Sequence, residues 1–158
     1  MVIRKALEED AAVAGEVHSK AWKQTYQGIF DQQYIDKDSP ELRSKEFLDS
    51  LETGNIFYYI LEEDSHAAGI VKLSVEDSEV EILSIYILEE FRGLGGGRLA
   101  IEHIRSAYRG SRIILRVLEV NAKARAFYEK CGFVLTDQVR TISRGGEFRQ
   151  LMYICEGE

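Results

Sequence analysis

The chain has 158 residues, of which 45% are hydrophobic and 30% charged, and its formal net charge is −7. That length holds one hydrophobic core, so residues 1–158 read as a single domain, and the balanced composition excludes disordered and fibrous classes. The acidic excess argues against nucleic acid, whose phosphates call for a basic face, and no apolar run approaches the ~18 residues of a membrane span.

Residues 1–10 are too acidic and too briefly apolar for a signal peptide, and Val2–Lys5 within them is a short strand candidate. From Asp10, the positions Ala14, Val17, His18, Ala21 and Trp22 recur at helical spacing until Gly28 interrupts them. Residues 36–39 with Pro40 mark a loop. A second helical stretch then carries Leu42, Phe47, Leu48 and Leu51 and stops at Thr53-Gly54. Three segments rich in β-branched and aromatic residues follow, at 55–61, 69–75 and 80–88. The polar turns between them are short enough for antiparallel hairpins.

A glycine cluster then opens a helical pattern through Ala100, Ile101, Ile104, Ala107 and Tyr108, and 113–117 is a buried-strand candidate. Asn121 starts a helix whose stripe is Ala124, Phe127, Tyr128 and Cys131, closed by Gly132. Two last strands, near 133–142 and 147–154, surround a Ser143-Arg144-Gly145-Gly146 turn. This order predicts a mixed α/β layer fold with crossover helices. Cys131, Cys155 and the three histidines show no metal-ligand spacing, so no metal is expected, and the sparse cysteines favour a reducing cytoplasm.

The run Arg92-Gly93-Leu94-Gly95-Gly96-Gly97-Arg98 lies between a strand and a helix. Glycines let the backbone approach a ligand and turn its N–H groups inward, and the helix behind them offers unpaired N–H groups and a positive dipole end. Together these suit a phosphate or pyrophosphate, with Arg92 and Arg98 adding charge; a flexible turn is the plainer alternative. A P-loop would need Lys-Ser/Thr after its last glycine, where this chain has Arg98-Leu99. A Rossmann turn follows the first strand of a parallel sheet directly, whereas here residues 89–92 intervene and hairpins precede.

With Arg92, Gly95 and Gly97 at the positions of a Gln/Arg-x-x-Gly-x-Gly/Ala motif, the chain resembles the GNAT superfamily of acyl-CoA N-acyltransferases. The family's second signature, Asn-x-x-Ala-x-x-Phe-Tyr-x-x-x-Gly-Phe, is met in register by Asn121, Ala124, Phe127, Tyr128, Gly132 and Phe133. The resemblance spans nearly the whole chain. It implies an α/β fold with a mixed, mostly antiparallel central sheet, helices on both faces, and a splay between the fourth and fifth strands. Gly96 departs from the bulky aliphatic residue usual there, which is expected to loosen the first turn of its helix.

On that resemblance acetyl-CoA is the cosubstrate. Its pantetheine arm lies along the backbone of Ile85, Tyr86 and Ile87, its pyrophosphate at Gly93 to Arg98, and Asn121 contacts the arm. Tyr128 is the implied general acid for the departing thiolate, although on an apolar stripe it also reads as a core tyrosine, and Asn121 also reads as a helix N-cap. Glu81, early in an apolar strand, is the implied general base acting through water, with a salt-bridged glutamate as the alternative and Glu79 and Glu119 as competitors. Some members use a carboxylate five residues before the asparagine, where this chain has Arg116.

Trp22, Tyr26 and the segment 27–34 are expected to wall the acceptor side. Combined with the acidic charge they suggest a cationic amine or a peptide N-terminus. The expected activity is N-acetyl transfer to a primary amine without a metal; a catalytically silent acyl-CoA sensor or partner-binding module is the alternative. No nucleic acid or membrane partner is expected. A homodimer through the last strands, with Phe148, Leu151, Tyr153 and Ile154, stands against those residues completing the monomer's own core.

Overall fold

The structure, a computed structural model, describes residues 1–156. Seven strands form one sheet: β1 (Val2–Lys5), β2 (Ile56–Glu63), β3 (His66–Glu76), β4 (Glu79–Ile87), β5 (Arg112–Leu118), β6 (Val134–Ser143) and β7 (Glu147–Glu156). Five helices accompany them: α1 (Ala11–Tyr26), α2 (Gln32–Asp36), α3 (Pro40–Leu51), α4 (Gly96–Ala107) and α5 (Ala122–Lys130). The sheet order is β1-β2-β3-β4-β5-β7-β6, with β4 and β5 parallel and every other pair antiparallel. This is the mixed, mostly antiparallel sheet expected, and it removes the Rossmann alternative.

Strand alternation divides the apolar residues between two faces. Tyr58, Ile60 and Ile70 point to one face, where α1 supplies Ala14, Val17 and Ala21 and α3 supplies Phe47. Tyr59, Leu61, Val71 and Leu73 point to the other, where Ala100, Ile101 and Ile104 of α4 pack with Phe127 and Tyr128 of α5. The β2–β3 hairpin turns at Asp64 and Ser65, both at positive φ, the backbone that matches the right-handed twist of its strands.

The parallel pairing of β4 with β5 runs from Glu79–Arg112 to Ile82–Leu115 and stops. At that point β4 carries a bulge. Lys72 faces Ser84 while Leu73 faces Ile82, leaving Leu83 as the extra residue. A bulge bends its strand and increases twist, so β4 leaves β5 beyond Ile82 while remaining paired with β3 as far as Ile87. The splay expected between the fourth and fifth strands therefore has a local cause at Leu83.

Two expectations are corrected, and the last strands are placed in the sheet. Between the two helices expected before the first hairpin lies a third: α2 begins within segment 27–34, with the Asp31 carboxylate accepting from the Gln33 N–H at 2.9 Å, and the aromatic residues hid this short capped turn. Gly96 does not sit loosely, because it is buried and a Cβ there would stand 2.7 Å from the Met1 Sδ, so the N-terminal methionine fills the space an aliphatic side chain would take. Finally, β7 is paired with β5 on one side and β6 on the other, with Leu151 and Tyr153 buried. Leu151 and Tyr153 thus belong to the monomer's own core, Phe148 and Ile154 are half-buried, and β6 forms the edge of the sheet.

Candidate active site

Beyond Ile82 the splay opens a crevice of about 90 Å³ lined by residues that include Ser84, Ile85, Tyr86, Val117, Asn121 and Tyr128. Ile85, Tyr86 and Ile87 face Val71, Ile70 and Gly69 on β3, while their other edge lies past the end of the β5 pairing. Backbone groups on such an edge can pair with an extended ligand as if it were another strand. Tyr128 packs its partly buried ring against Phe127 and Phe133, at centroid distances of 5.2 and 5.8 Å. Burial, with smaller contributions from Tyr26 and Cys131, pushes its phenol well above the usual tyrosine range, so it stays protonated at neutral pH.

The position of Tyr128 is fixed by the way α5 ends. Gly132, at φ 91°, sits in the left-handed region; its N–H donates to the Glu129 carbonyl at 3.0 Å, and the Phe133 N–H donates to the Tyr128 carbonyl at 3.0 Å. This is a Schellman cap, and it explains in physical terms why a tyrosine, a glycine and a phenylalanine recur at that spacing. At the other end of α5, the Asn121 Oδ1 accepts from the Ala124 N–H at 3.2 Å. Asn121 is thus an N-cap whose side chain also lines the crevice.

The glycine loop leads from β4 into α4. Gly93 and Gly95 have φ of 81° and 82°, and a Cβ at either would meet nothing within 4 Å, so the backbone is open to a close approach. No side chain caps α4, whose first backbone bond runs from the Leu99 N–H to the Gly95 carbonyl. Its leading N–H groups, at Gly96, Gly97 and Arg98, are those a helix leaves for an outside acceptor, and an anion is the natural one. At Gly97 a Cβ would stand 2.8 Å from the Phe127 ring, so this glycine lets α4 pack tightly against α5 and links the two motifs. The Arg92 Nε donates to the Ile87 carbonyl at 3.1 Å, tying the loop to the end of β4, and Arg98 is exposed.

A larger cavity of about 550 Å³ adjoins the crevice. The two share Tyr26, Ile82, Leu83, Ser84, Tyr86 and Arg116 in their linings. Trp22 and Tyr26 both line the cavity, and both belong to an aromatic cluster: Trp22 lies 5.4 Å from Tyr26 and 5.9 Å from Phe30. The Tyr26 and Tyr86 hydroxyls are hydrogen-bonded at 3.1 Å, and burial is the main cause raising both phenols above their ordinary range. Glu81 lies in the cavity wall with one carboxylate oxygen 2.5 Å from the Arg116 guanidinium. Glu79 is exposed at the start of β4, and Glu119 pairs with Arg149 at 3.1 Å; neither lines the cavity or the crevice.

The chain matches the profile of the Acetyltransferase (GNAT) family over residues 19–133. The chain belongs to the GNAT acetyltransferase family. It is 28% identical over 149 residues to a 5-NmdU N-acetyltransferase of Pseudomonas phage PaMx11, covering 93% of this chain and 94% of that one. It is also 28% identical over 143 residues to a spermidine N(1)-acetyltransferase of Thermoplasma acidophilum, covering 85% and 89%. Among solved structures, the PaiA N-acetyltransferase of Thermoplasma acidophilum in complex with coenzyme A superposes with a TM-score of 0.71 at 27% identity, over 95% of this chain and 96% of that chain.

Within the GNAT frame, the structure brings Ile85, Tyr86, Asn121 and Tyr128 together at the crevice, and Glu81, Trp22 and Tyr26 at the adjoining cavity. Gly93 to Arg98 form the separate loop at the start of α4. Phe30 and Tyr34 of segment 27–34 also line the cavity, whereas sequence reasoning missed its charged and polar residues. His18 is 2% exposed with its Nε2 unpartnered, and burial, reinforced by Arg43, lowers its pKa to about 3, so the ring is neutral at neutral pH. Arg43 binds Asp38 at 2.8 Å and Glu46 at 3.3 Å, and Lys72 reaches Glu46 at 3.1 Å. A polar residue on an otherwise apolar helical stripe was the signal for His18. Arg140 and Arg144, on the β6–β7 hairpin, read in the sequence only as a strand residue and a turn residue.

Proposed function

We propose that this GNAT enzyme transfers the acetyl group of acetyl-CoA directly to a primary amine, on a small molecule or a peptide N-terminus. The observation that carries this reading is the crevice at the β4–β5 splay, which shares six lining residues with the larger cavity and has the Tyr128 side chain in its wall. One cosubstrate and one acceptor can then meet at a single wall without a covalent enzyme intermediate.

In this reading the leading N–H groups of α4 hold the pyrophosphate, and the free edge of Ile85 to Ile87 aligns the pantetheine and polarises the thioester carbonyl. The amine enters from the larger cavity and gives a proton, through water, to the Glu81 oxygen not taken by Arg116. The neutral nitrogen forms a bond to the acetyl carbon, the carbon–sulfur bond breaks, and Tyr128 gives its proton to the departing thiolate. The acetylated nitrogen then gives its second proton, through water, to the Tyr128 phenolate, so the products are the acetamide and the CoA thiol, and the proton on Glu81 passes to solvent. No metal enters these steps. A reducing cytoplasm suits the free thiols of Cys131 and Cys155.

Calorimetric titration with CoA tests the placement of the cosubstrate. The wild-type protein is expected to bind CoA, and Gly95→Val, which puts a branched side chain into the open approach at φ 82°, is expected to abolish binding with the fold retained. Unchanged CoA affinity in a folded Gly95→Val protein would overturn it.

A further inference from the structure

The larger cavity differs in charge from the chain around it. Its lining holds five cations against three carboxylates, in a protein of formal net charge −7. All three carboxylates are already met: Asp38 by Arg43, Glu46 by Arg43 and Lys72, and Glu81 by Arg116. The remaining cations, Lys37, Arg140 and Arg144, have no carboxylate partner among the described residues. The Arg140 Nε donates to the Gln150 Oε1 at 2.6 Å and Arg144 donates to the Ser143 carbonyl at 2.7 Å, so these hydrogen bonds go to neutral groups; Lys37 and Arg140 are exposed. Arg144 is partly buried, where water screens an unpaired guanidinium less well than at the surface.

These three cations line the same cavity from neighbouring parts of the fold. Lys37 caps the C-terminus of α2, and Arg140 and Arg144 belong to β6 and to the turn after it. The turn docks on α2: a Cβ at Gly145 would stand 2.8 Å from the Tyr34 Cβ and 3.1 Å from the Asp31 Cβ. None of the three lines the crevice at the splay, whereas Ser84, Tyr86 and Arg116 line both spaces. The cavity therefore has a thioester end and a cationic end.

We propose that the acceptor of this enzyme is an amine whose other end carries an anionic group, a carboxylate or a phosphate, received by Lys37, Arg140 and Arg144. This deepens, and rests on, the reading of the cavity as the acceptor site for acetyl transfer. Guanidinium groups hold carboxylate and phosphate oxygens through paired, charge-assisted hydrogen bonds. A second ammonium group placed at the same end meets uncompensated like charge, which disfavours polyamines. The aromatic wall and the acidic charge suggested a cationic amine or a peptide N-terminus; in this proposal the acidic surplus lies outside the cavity, and the acceptor follows the cavity's local charge.

The test uses acceptors of one five-carbon chain: pentylamine, cadaverine, aminopentanoate and aminopentyl phosphate. Two readouts are taken, kcat/KM from CoA release and calorimetric affinity on protein saturated with CoA. At least one anionic acceptor is expected to exceed pentylamine and cadaverine by about tenfold or more in both, and the two anionic arms separate carboxylate from phosphate. Arg144→Gln combined with Arg140→Gln is expected to bring that ratio down toward one. A ranking with pentylamine or cadaverine equal or better would overturn the proposal, as would a preference that survives in the double variant. Absence of turnover with every acceptor would strike at acetyl transfer itself, while the affinity ranking would still decide the anion site.

Discussion

Replacing Tyr128 with phenylalanine separates catalysis from packing at the centre of the site. The ring contacts with Phe127 and Phe133 are kept, and only the hydroxyl is lost. That hydroxyl has no hydrogen-bond partner among the described residues, so its removal is expected to change stability by less than about 0.5 kcal/mol, below the cost of losing an ordinary hydrogen bond. If it protonates the departing thiolate, the chemical step slows by ~10²–10⁴-fold, the usual worth of general acid–base catalysis, or roughly 3–5 kcal/mol of barrier. The assay is single-turnover acetyl transfer at saturating acetyl-CoA, with a urea denaturation curve and a CoA titration on the same preparation. Unchanged stability and CoA affinity with a slowed step is the expected combination. A Tyr128→Phe enzyme that turns over at the wild-type single-turnover rate would refute the assignment and move the thiolate's proton to water or to the acceptor.

Glu81→Gln is expected to lower kcat/KM by ~10²-fold or more near neutral pH, with the deficit shrinking as the acceptor amine loses its own proton at higher pH; a deficit constant with pH would contradict the base role. His18, whose pKa is lowered from 6.5 to about 3, binds its proton in the unfolded chain but not in the folded one over that interval. Its contribution to stability is thus complete above the unfolded value and falls away as pH drops toward 3. His18→Gln is expected to reduce the loss of unfolding free energy between about pH 7 and pH 5 by roughly 2 kcal/mol, and identical pH slopes in denaturation curves would refute it. Gly145→Val, at φ 69° and against Tyr34, is expected to cost about 1–2 kcal/mol of stability and to raise KM for the acceptor with CoA affinity kept; a matched loss of CoA affinity would contradict the division of the site.

The backbone features of the glycine loop and of α5 were legible in the sequence because local backbone chemistry writes them. Gly95 at positive φ, Asn121 as an N-cap and Gly132 as a C-terminal cap are each demanded by their immediate neighbours, and strand alternation exposed the sheet in the same way. Of the larger cavity, the aromatic wall of Trp22, Tyr26 and segment 27–34 was legible and the charged lining was not. Lys37, Arg43, Arg116 and Arg144 come from four separate elements and meet only in three dimensions, so nothing in their spacing announces a shared cavity. The bulge at Leu83 was likewise invisible, since the segment 80–88 alternates poorly on either register and only pairing with β3 decides it. The aromatic residues around α2 concealed a helix because they serve both as core and as wall.

The most direct test of acetyl transfer at the splay is mass spectrometry of the acceptor after incubation of the enzyme with acetyl-CoA and aminopentanoate or aminopentyl phosphate. The expected result is gain of one acetyl group on the amine, in step with CoA release, and loss of both in Gly95→Val. An unmodified acceptor together with CoA release no faster than in the absence of enzyme, across every amine tried, would contradict it.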